Sequence, residues 1–260
     1  MLAATFNCNS VRSRLPILLP WLDANQPDLL FLQETKVVDA EFPVDAFSSA
    51  GWHVVFSGEK SYNGVAIVSR RAPDSVRAGL DPALGPADPA RVLWARFGDL
   101  LAVNTYVPQG RAIDHPMYAY KIEWFRRLLA EFRKETSPSA PVLWAGDLNV
   151  ARTPLDVSHP ETKTDHVCFH ADVRAAFEET LAFGFTDVYR LFHEGEADYT
   201  FYDYRSRFDP ARRQGWRIDY LLATPPLAAT AVSSSIVLAP RSLPRPSDHV
   251  PLLATFSRPL

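Results

Sequence analysis

Apolar residues along this chain come in short runs. They recur at Leu2 to Phe6, Leu29 to Leu32, His53 to Phe56, Gly64 to Ser69, Val92 to Phe97, Leu101 to Tyr106, Val142 to Ala145, Arg217 to Ala223, Ser235 to Leu238 and Pro251 to Phe256, lengths that suit strands. Several are apolar at successive positions, as in LLFL and VLWA, which predicts strands covered on both faces. Helical spacing is rarer. From Met117 to Lys134, residues Tyr118, Ile122, Phe125, Leu129 and Phe132 recur at steps of three and four as one buried stripe. A second helix is predicted from Asp172 to Phe183, capped by Asp172 and closed by Gly184. A third lies between Ser13 and Asn25, where Pro20 would remove a backbone hydrogen bond and predicts a kink or a late start. Helices are too few for one per strand, so the pattern predicts two sheets packed face to face with helices outside, not a singly wound barrel. The proline-rich stretches Asp81 to Pro89, Ser137 to Pro141 and Pro240 to Pro246 predict surface loops.

Composition narrows the picture. No composition shift or low-complexity stretch interrupts the 260 residues, so residues 1–260 are expected to form one domain. The 27 basic and 30 acidic residues give a net charge of −3, which argues against coating nucleic acid by bulk charge and leaves room only for a local patch. Cys8 and Cys168 are too few for a disulfide framework or a thiolate zinc cluster. The chain enters a strand-like LAATF without a basic leader, and no run reaches the length of a membrane span. The expectation is a soluble monomer of the cytoplasm with no membrane partner.

Polar residues interrupt the apolar runs at four separated places. They are Gln33 and Glu34 in LLFLQETK, Asp147 and Asn149 in VLWAGDLNV, Asp219 in GWRIDYLLA, and Asp248 and His249 in PSDHVPLLATF. Half-buried carboxylates at strand ends are costly unless paired, so four such places point to one shared site that holds a cation or handles protons. Magnesium keeps several waters and needs only one or two protein carboxylates, which makes Glu34, helped by the amide of Asn7 or Asn9, an adequate ligand set. Asp147 and Asn149, two apart, face the same way in an extended segment and offer a base beside an orienting amide. Asp219 can reach His249, fix its tautomer and raise its pKa, so that a cationic imidazole grips a phosphate oxygen.

Taken together, Asn7, QET at 33–35, NGVAIVS at 63–69, YVPQG at 106–110, GDLN at 146–149, WRID at 216–219 and SDH at 247–249 resemble the exonuclease III type of apurinic/apyrimidinic endonuclease, in order over nearly the whole chain. The resemblance implies an α/β fold, a four-layer sandwich of two mixed β-sheets with helices on the outside. It implies a Mg2+-dependent nuclease, with Mn2+ as a substitute, acting on double-stranded DNA. The reaction would be cleavage 5′ to abasic sites, with 3′–5′ exonuclease and 3′-end-cleaning activity. Glu34 is then the principal metal ligand with Asn7 and Asn9 nearby and Asp248 beside the metal. Asp147 activates the water, Asn149 orients it, His249 contacts the scissile phosphate with Asp219 as partner, and Tyr106 lies against that phosphate.

The resemblance also implies an apolar pocket of Phe201, Trp216 and Ile218 for an extruded base-free sugar, which costs least to flip out. Where many bacterial relatives carry a tryptophan, this chain reads Tyr199, Thr200, Phe201, Tyr202, while Trp216 falls where some have only an aliphatic residue. Gln109 and Arg111 follow Tyr106, and Arg205, Arg207, Arg212, Arg213 and Arg217 crowd the pocket segment as expected DNA-backbone contacts. His166 and His170 lack the glutamate of a helical zinc pair and are expected in a loop over the site. Two other readings compete. A lipid or inositol phosphate phosphodiesterase would share the metal and Asp/His parts but lack the aromatic sugar pocket, and a non-catalytic damaged-DNA-binding module would have lost one of Glu34, Asp147, Asn149 or His249.

Overall fold

In the computed structural model, which describes residues 1–205, 208–209, 211 and 214–260, two six-stranded sheets pack face to face. The first is built from β1 (Leu2–Asn7), β2 (Leu29–Gln33), β3 (His53–Ser57), β4 (Val65–Ser69), β11 (Ala231–Ile236) and β12 (Leu252–Phe256), in the order β11-β12-β1-β2-β4-β3. The second is built from β5 (Ser75–Ala78), β6 (Val92–Phe97), β7 (Leu100–Tyr106), β8 (Val142–Asp147), β9 (Thr186–Asp187) and β10 (Asp219–Ala223), in the order β5-β6-β7-β8-β10-β9. Both sheets are mixed. One parallel pair lies inside each, β1 with β2 and β7 with β8, and the remaining pairs are antiparallel.

The doubly apolar strands have the covering their sequence predicts. Leu29 and Phe31 point between the sheets, where they meet Leu143, Ala145 and Leu221 of the opposite sheet. Leu30 and Leu32 point outward onto α1 (Val11–Asn25), against Val11, Leu18 and Leu22. In the second sheet, Val142 and Trp144 point outward onto α3 (Pro116–Glu135) and α4 (Ala171–Leu181), against Phe125, Phe132 and Phe177. The short helices α2 (Val44–Ser48) and α5 (Pro225–Ala228) complete the set. The period-two alternation thus feeds an inter-sheet core on one side and a helix-covered core on the other.

Three local expectations change. α1 begins at Val11, with Ser10 as its cap, and runs through both Pro16 and Pro20 instead of starting late. Its buried Val11, Ile17, Leu18, Trp21 and Leu22 supply the packing that offsets two missing backbone donors. α4 is capped by His170, whose Nδ1 accepts from the Asp172 amide at 3.3 Å, so Asp172 lies inside the first turn and is not the cap. The strand expected from Arg217 begins only at Asp219. No described helix is long and apolar enough to cross a membrane.

Parallel pairing brings the polar strand ends together. Asn7, Gln33, Tyr106 and Asp147 terminate β1, β2, β7 and β8, and the antiparallel register sets Asp219 directly opposite Asp147. Gly146 makes the last step possible. Its φ is +142°, and a Cβ there would lie 1.9 Å from the Thr105 carbonyl oxygen.

Candidate active site

Asn7 joins the two carboxylates at the centre. Its amide nitrogen donates to Glu34 Oε1 at 2.8 Å and to Asp147 Oδ2 at 2.9 Å, while its oxygen accepts from the Asn9 amide at 3.0 Å. Glu34 sits just past β2 with φ +52°, and Asn149 just past β8 with φ +50°. Left-handed backbone at two non-glycine residues is costly and persists where surrounding contacts over-determine it. The Asn149 amide donates to Asp147 Oδ1 at 2.9 Å, and its side chain donates to the Val107 carbonyl at 3.0 Å. His249 Nδ1 lies 2.8 Å from Asp219 Oδ2, and its Nε2 lies 3.7 Å from Asp147 Oδ2. Asp219, His249, Asp147, Asn7 and Glu34 therefore form one continuous polar chain.

The charges follow from this packing. Burial alone would depress His249, but Asp219 and then Asp147 raise it to about 10, so the imidazole is a cation at neutral pH. Burial pushes Asp147 up to about 7 against the pull of that cation, with Asp219 and Glu34 adding to the rise. Glu34 goes the other way: burial would raise it, yet the Lys36 ammonium 2.7 Å away and the Asn7 amide hold it below the ordinary glutamate value. Burial and the neighbouring Glu34 and Asp147 carboxylates keep the Tyr106 hydroxyl protonated.

Glu34, Asp147 and His249 form a group that could hold a metal ion, their ligand atoms lying within 4.8 Å of one another. A protonated His249 is a poor ligand, which leaves carboxylate oxygens, the donor type that hard divalent cations prefer. Asp248 and Asn9 lie at the rim, where Asn9 Nδ2 donates to Asp248 Oδ1 at 2.9 Å and Asn9 Oδ1 accepts from Lys36.

These groups open into a cavity of about 440 Å³ whose lining also includes Tyr106, Gln109, Phe201, Trp216 and Ile218. Phe201, Trp216 and Ile218 pack with Ala151, Val157 and Phe169, and the Phe201 ring lies 5.0 Å from the His249 ring. Tyr199 and Tyr202 join Val250 in a separate cluster, so only Phe201 of that aromatic segment lines the cavity. His166 lines it as well. Its ring lies tilted against that of Trp216, 4.4 Å between centroids, and burial, then Lys121 and Lys163, lower its pKa to about 4, so it is neutral. His170 instead caps α4 and meets the Tyr118 hydroxyl at 3.0 Å, outside the cavity lining.

Two residues from the sequence reading serve elsewhere. Gln33 turns between the sheets and donates to Asn104 Oδ1 at 2.7 Å, while Asn104 donates to the Leu32 and Ala66 carbonyls at 2.8 Å. Asn104, invisible as a site residue because it lies inside an apolar strand, holds one sheet to the other. Arg217 is not a DNA-backbone contact. It is fully buried, bonded at 2.7 Å to Asp156 and to Asp187, because its place between Trp216 and Ile218 turns it away from the cavity. Arg205 is exposed and paired with Asp203, and Arg111 is exposed beside Gln109. Arg207, Arg212 and Arg213 lie outside the described residues.

A base with a raised pKa has a kinetic signature. Asp147 must be ionised to take a proton, so kcat/KM should fall up to tenfold per pH unit below a midpoint no higher than about 7 and level off above it. A bound cation would lower that midpoint. A kcat/KM that rose as the pH fell, or an acid limb with its midpoint well above about 7, would reject Asp147 as the base.

The endonuclease/exonuclease/phosphatase family matches residues 4–249. The chain is 32% identical over 265 residues to the exodeoxyribonuclease III of Haemophilus influenzae, spanning 97% of this chain and 98% of that one. Among solved structures, an AP endonuclease from Archaeoglobus fulgidus superimposes with a TM-score of 0.97 at 47% identity, covering 99% of this chain and 100% of the other. A 3′ phosphatase from Neisseria bound to product DNA hairpin gives a TM-score of 0.92 at 37% identity, again covering 99% and 100%.

Proposed function

We propose, for a chain that belongs to the endonuclease/exonuclease/phosphatase family and is a phosphodiester hydrolase, that its substrate is double-stranded DNA carrying an abasic site or a 3′ end in need of trimming. The observation that carries this reading is the unbroken Asp219–His249–Asp147–Asn7–Glu34 chain opening beside an apolar, aromatic-walled cavity. Asp147 takes a proton from the attacking water and Asn149 holds that water. The His249 cation, steered by Asp219, meets the charge that develops on a phosphate oxygen through Nε2. Tyr106 offers a neutral hydroxyl to the same phosphate. Glu34 would hold a divalent cation, Mg2+ with Mn2+ as a substitute, with Asn7, Asn9 and Asp248 around it, and such an ion would supply Lewis-acid stabilisation of the phosphoryl oxygens.

Phe201, Trp216 and Ile218 would receive a sugar without its base, while Gln109, Arg111, Arg205, Arg212 and Arg213 would track the DNA backbone. Action as a monomer in the cytoplasm is part of the same proposal. Purified protein incubated with an end-labelled duplex bearing a single abasic analogue, with and without magnesium, tests this reading. Cleavage 5′ to the analogue only with metal is expected, and a strand left intact both at the analogue and at its 3′ end with magnesium present would sink it. In Trp216→Ala, incision at the analogue should fall about tenfold or more relative to digestion of an undamaged recessed 3′ end. An equal fall in both activities in a variant with a normal melting curve would return Trp216 to plain packing.

A further inference from the structure

We propose that Lys121 is a positioning residue that ties the water-holding turn at Asn149 to two loops that line the cavity. It lies on α3, inside the helix's buried surface, and is fully buried. Its Nζ donates to the carbonyl oxygens of Asn149 at 2.6 Å, Val167 at 2.8 Å and Gln109 at 3.1 Å. An ammonium has three protons, and each is committed to a different segment of the chain. One carbonyl belongs to the loop after β7, one to the turn after β8, and one to the loop that carries His166.

Those three segments are what the reaction needs held together. Asn149 has left-handed backbone, and its amide already donates to Asp147 Oδ1. The Asn149 carbonyl belongs to the next peptide, so a bond to it pins the far side of the residue whose N–H meets Asp147 and resists a change in the Asn149 dihedrals. The Val167 carbonyl sits between His166, whose ring lies on Trp216, and Cys168, whose Sγ is 3.9 Å from Asn149 Oδ1. Gln109 lines the cavity as well. Packing by itself does not call for an ammonium here. A leucine or methionine on α3 would fill the space without the cost of burying a charge, and burial does hold the Lys121 pKa below its ordinary value. What an apolar side chain cannot do is bind three carbonyls at one point.

This inference rests on the assignment of Asp147 and Asn149 to water activation, so its test includes a measurement independent of activity. Lys121→Met and Lys121→Gln would be compared with the unaltered protein by melting curve, by amide hydrogen exchange over segments 107–111, 147–151 and 165–169, and by kinetics on the abasic duplex. Lys121→Met should exchange about tenfold faster or more in all three segments. Its kcat should fall roughly 10- to 100-fold with KM changed by less than about threefold, because a small misplacement of the water-holding groups costs chemistry more than binding. Lys121→Gln, which keeps two donors, should fall between the two. Unchanged exchange in these segments, an unchanged kcat, or a kcat loss that merely follows loss of folded protein would overturn the proposal. If Lys121→Met fails to fold, the same three criteria apply to Lys121→Gln. A protein without nuclease activity would refute the proposed function, and the exchange comparison would then decide the role of Lys121 alone.

Discussion

Asp147→Asn is expected to bind the abasic duplex with near-normal affinity while turning over roughly 10²- to 10⁴-fold more slowly, the range a positioned general base contributes. The two carboxylate oxygens are already used, Oδ1 by the Asn149 amide and Oδ2 by Asn7. An asparagine offers one oxygen and one NH2, so one of those contacts becomes donor against donor. Some local adjustment follows, and the substituted amide has no capacity to take a proton from water. Folding should survive, since burial already disfavours the ionised carboxylate, as its rise to about 7 records. Duplex affinity by fluorescence anisotropy and single-turnover rates separate the two effects. An affinity that declined in step with the rate would assign Asp147 a structural role instead.

Glu34→Ala should weaken Mg2+ binding by about tenfold or more and slow turnover by roughly 10²-fold at low magnesium, with part of the rate restored as magnesium is raised. The change removes the carboxylate that faces Asn7 on one side and Lys36 on the other. Lys36 keeps its bond to Asn9 Oδ1, so its ammonium stays near the vacated position and opposes the incoming cation. Calorimetric titration with Mg2+ gives the affinity, and turnover against magnesium concentration gives the rescue. Wild-type turnover at low magnesium would show that the cation is held elsewhere.

What the sequence determined by itself is local. Uninterrupted apolar runs such as LLFL and VLWA marked strands covered on both faces, because burial of each face is written into neighbouring residues. Polar residues at the ends of those runs marked Glu34, Asp147, Asp219 and His249, because a carboxylate or imidazole among apolar neighbours needs a partner. The short polar β5 and the two-residue β9 left no such trace, since edge strands are stabilised by the strand beside them. Likewise Pro16 and Pro20 opposed a helix that burial of Leu18 and Leu22 nevertheless sustains.

Only the tertiary structure decided which polar residue faces which. Gln33 and Glu34 are adjacent in sequence, yet the pleat sends Gln33 to Asn104 between the sheets while the left-handed turn sends Glu34 to Asn7 and Lys36. Arg217 stands between two cavity residues but turns to Asp156 and Asp187. Lys121 interrupts a buried helical face for three carbonyls that the chain order scatters. Each of these choices depends on pairing between segments far apart in sequence. Sheet register and the requirement that every buried donor find an acceptor are properties of the packed whole, and no local pattern of polar and apolar residues can encode them.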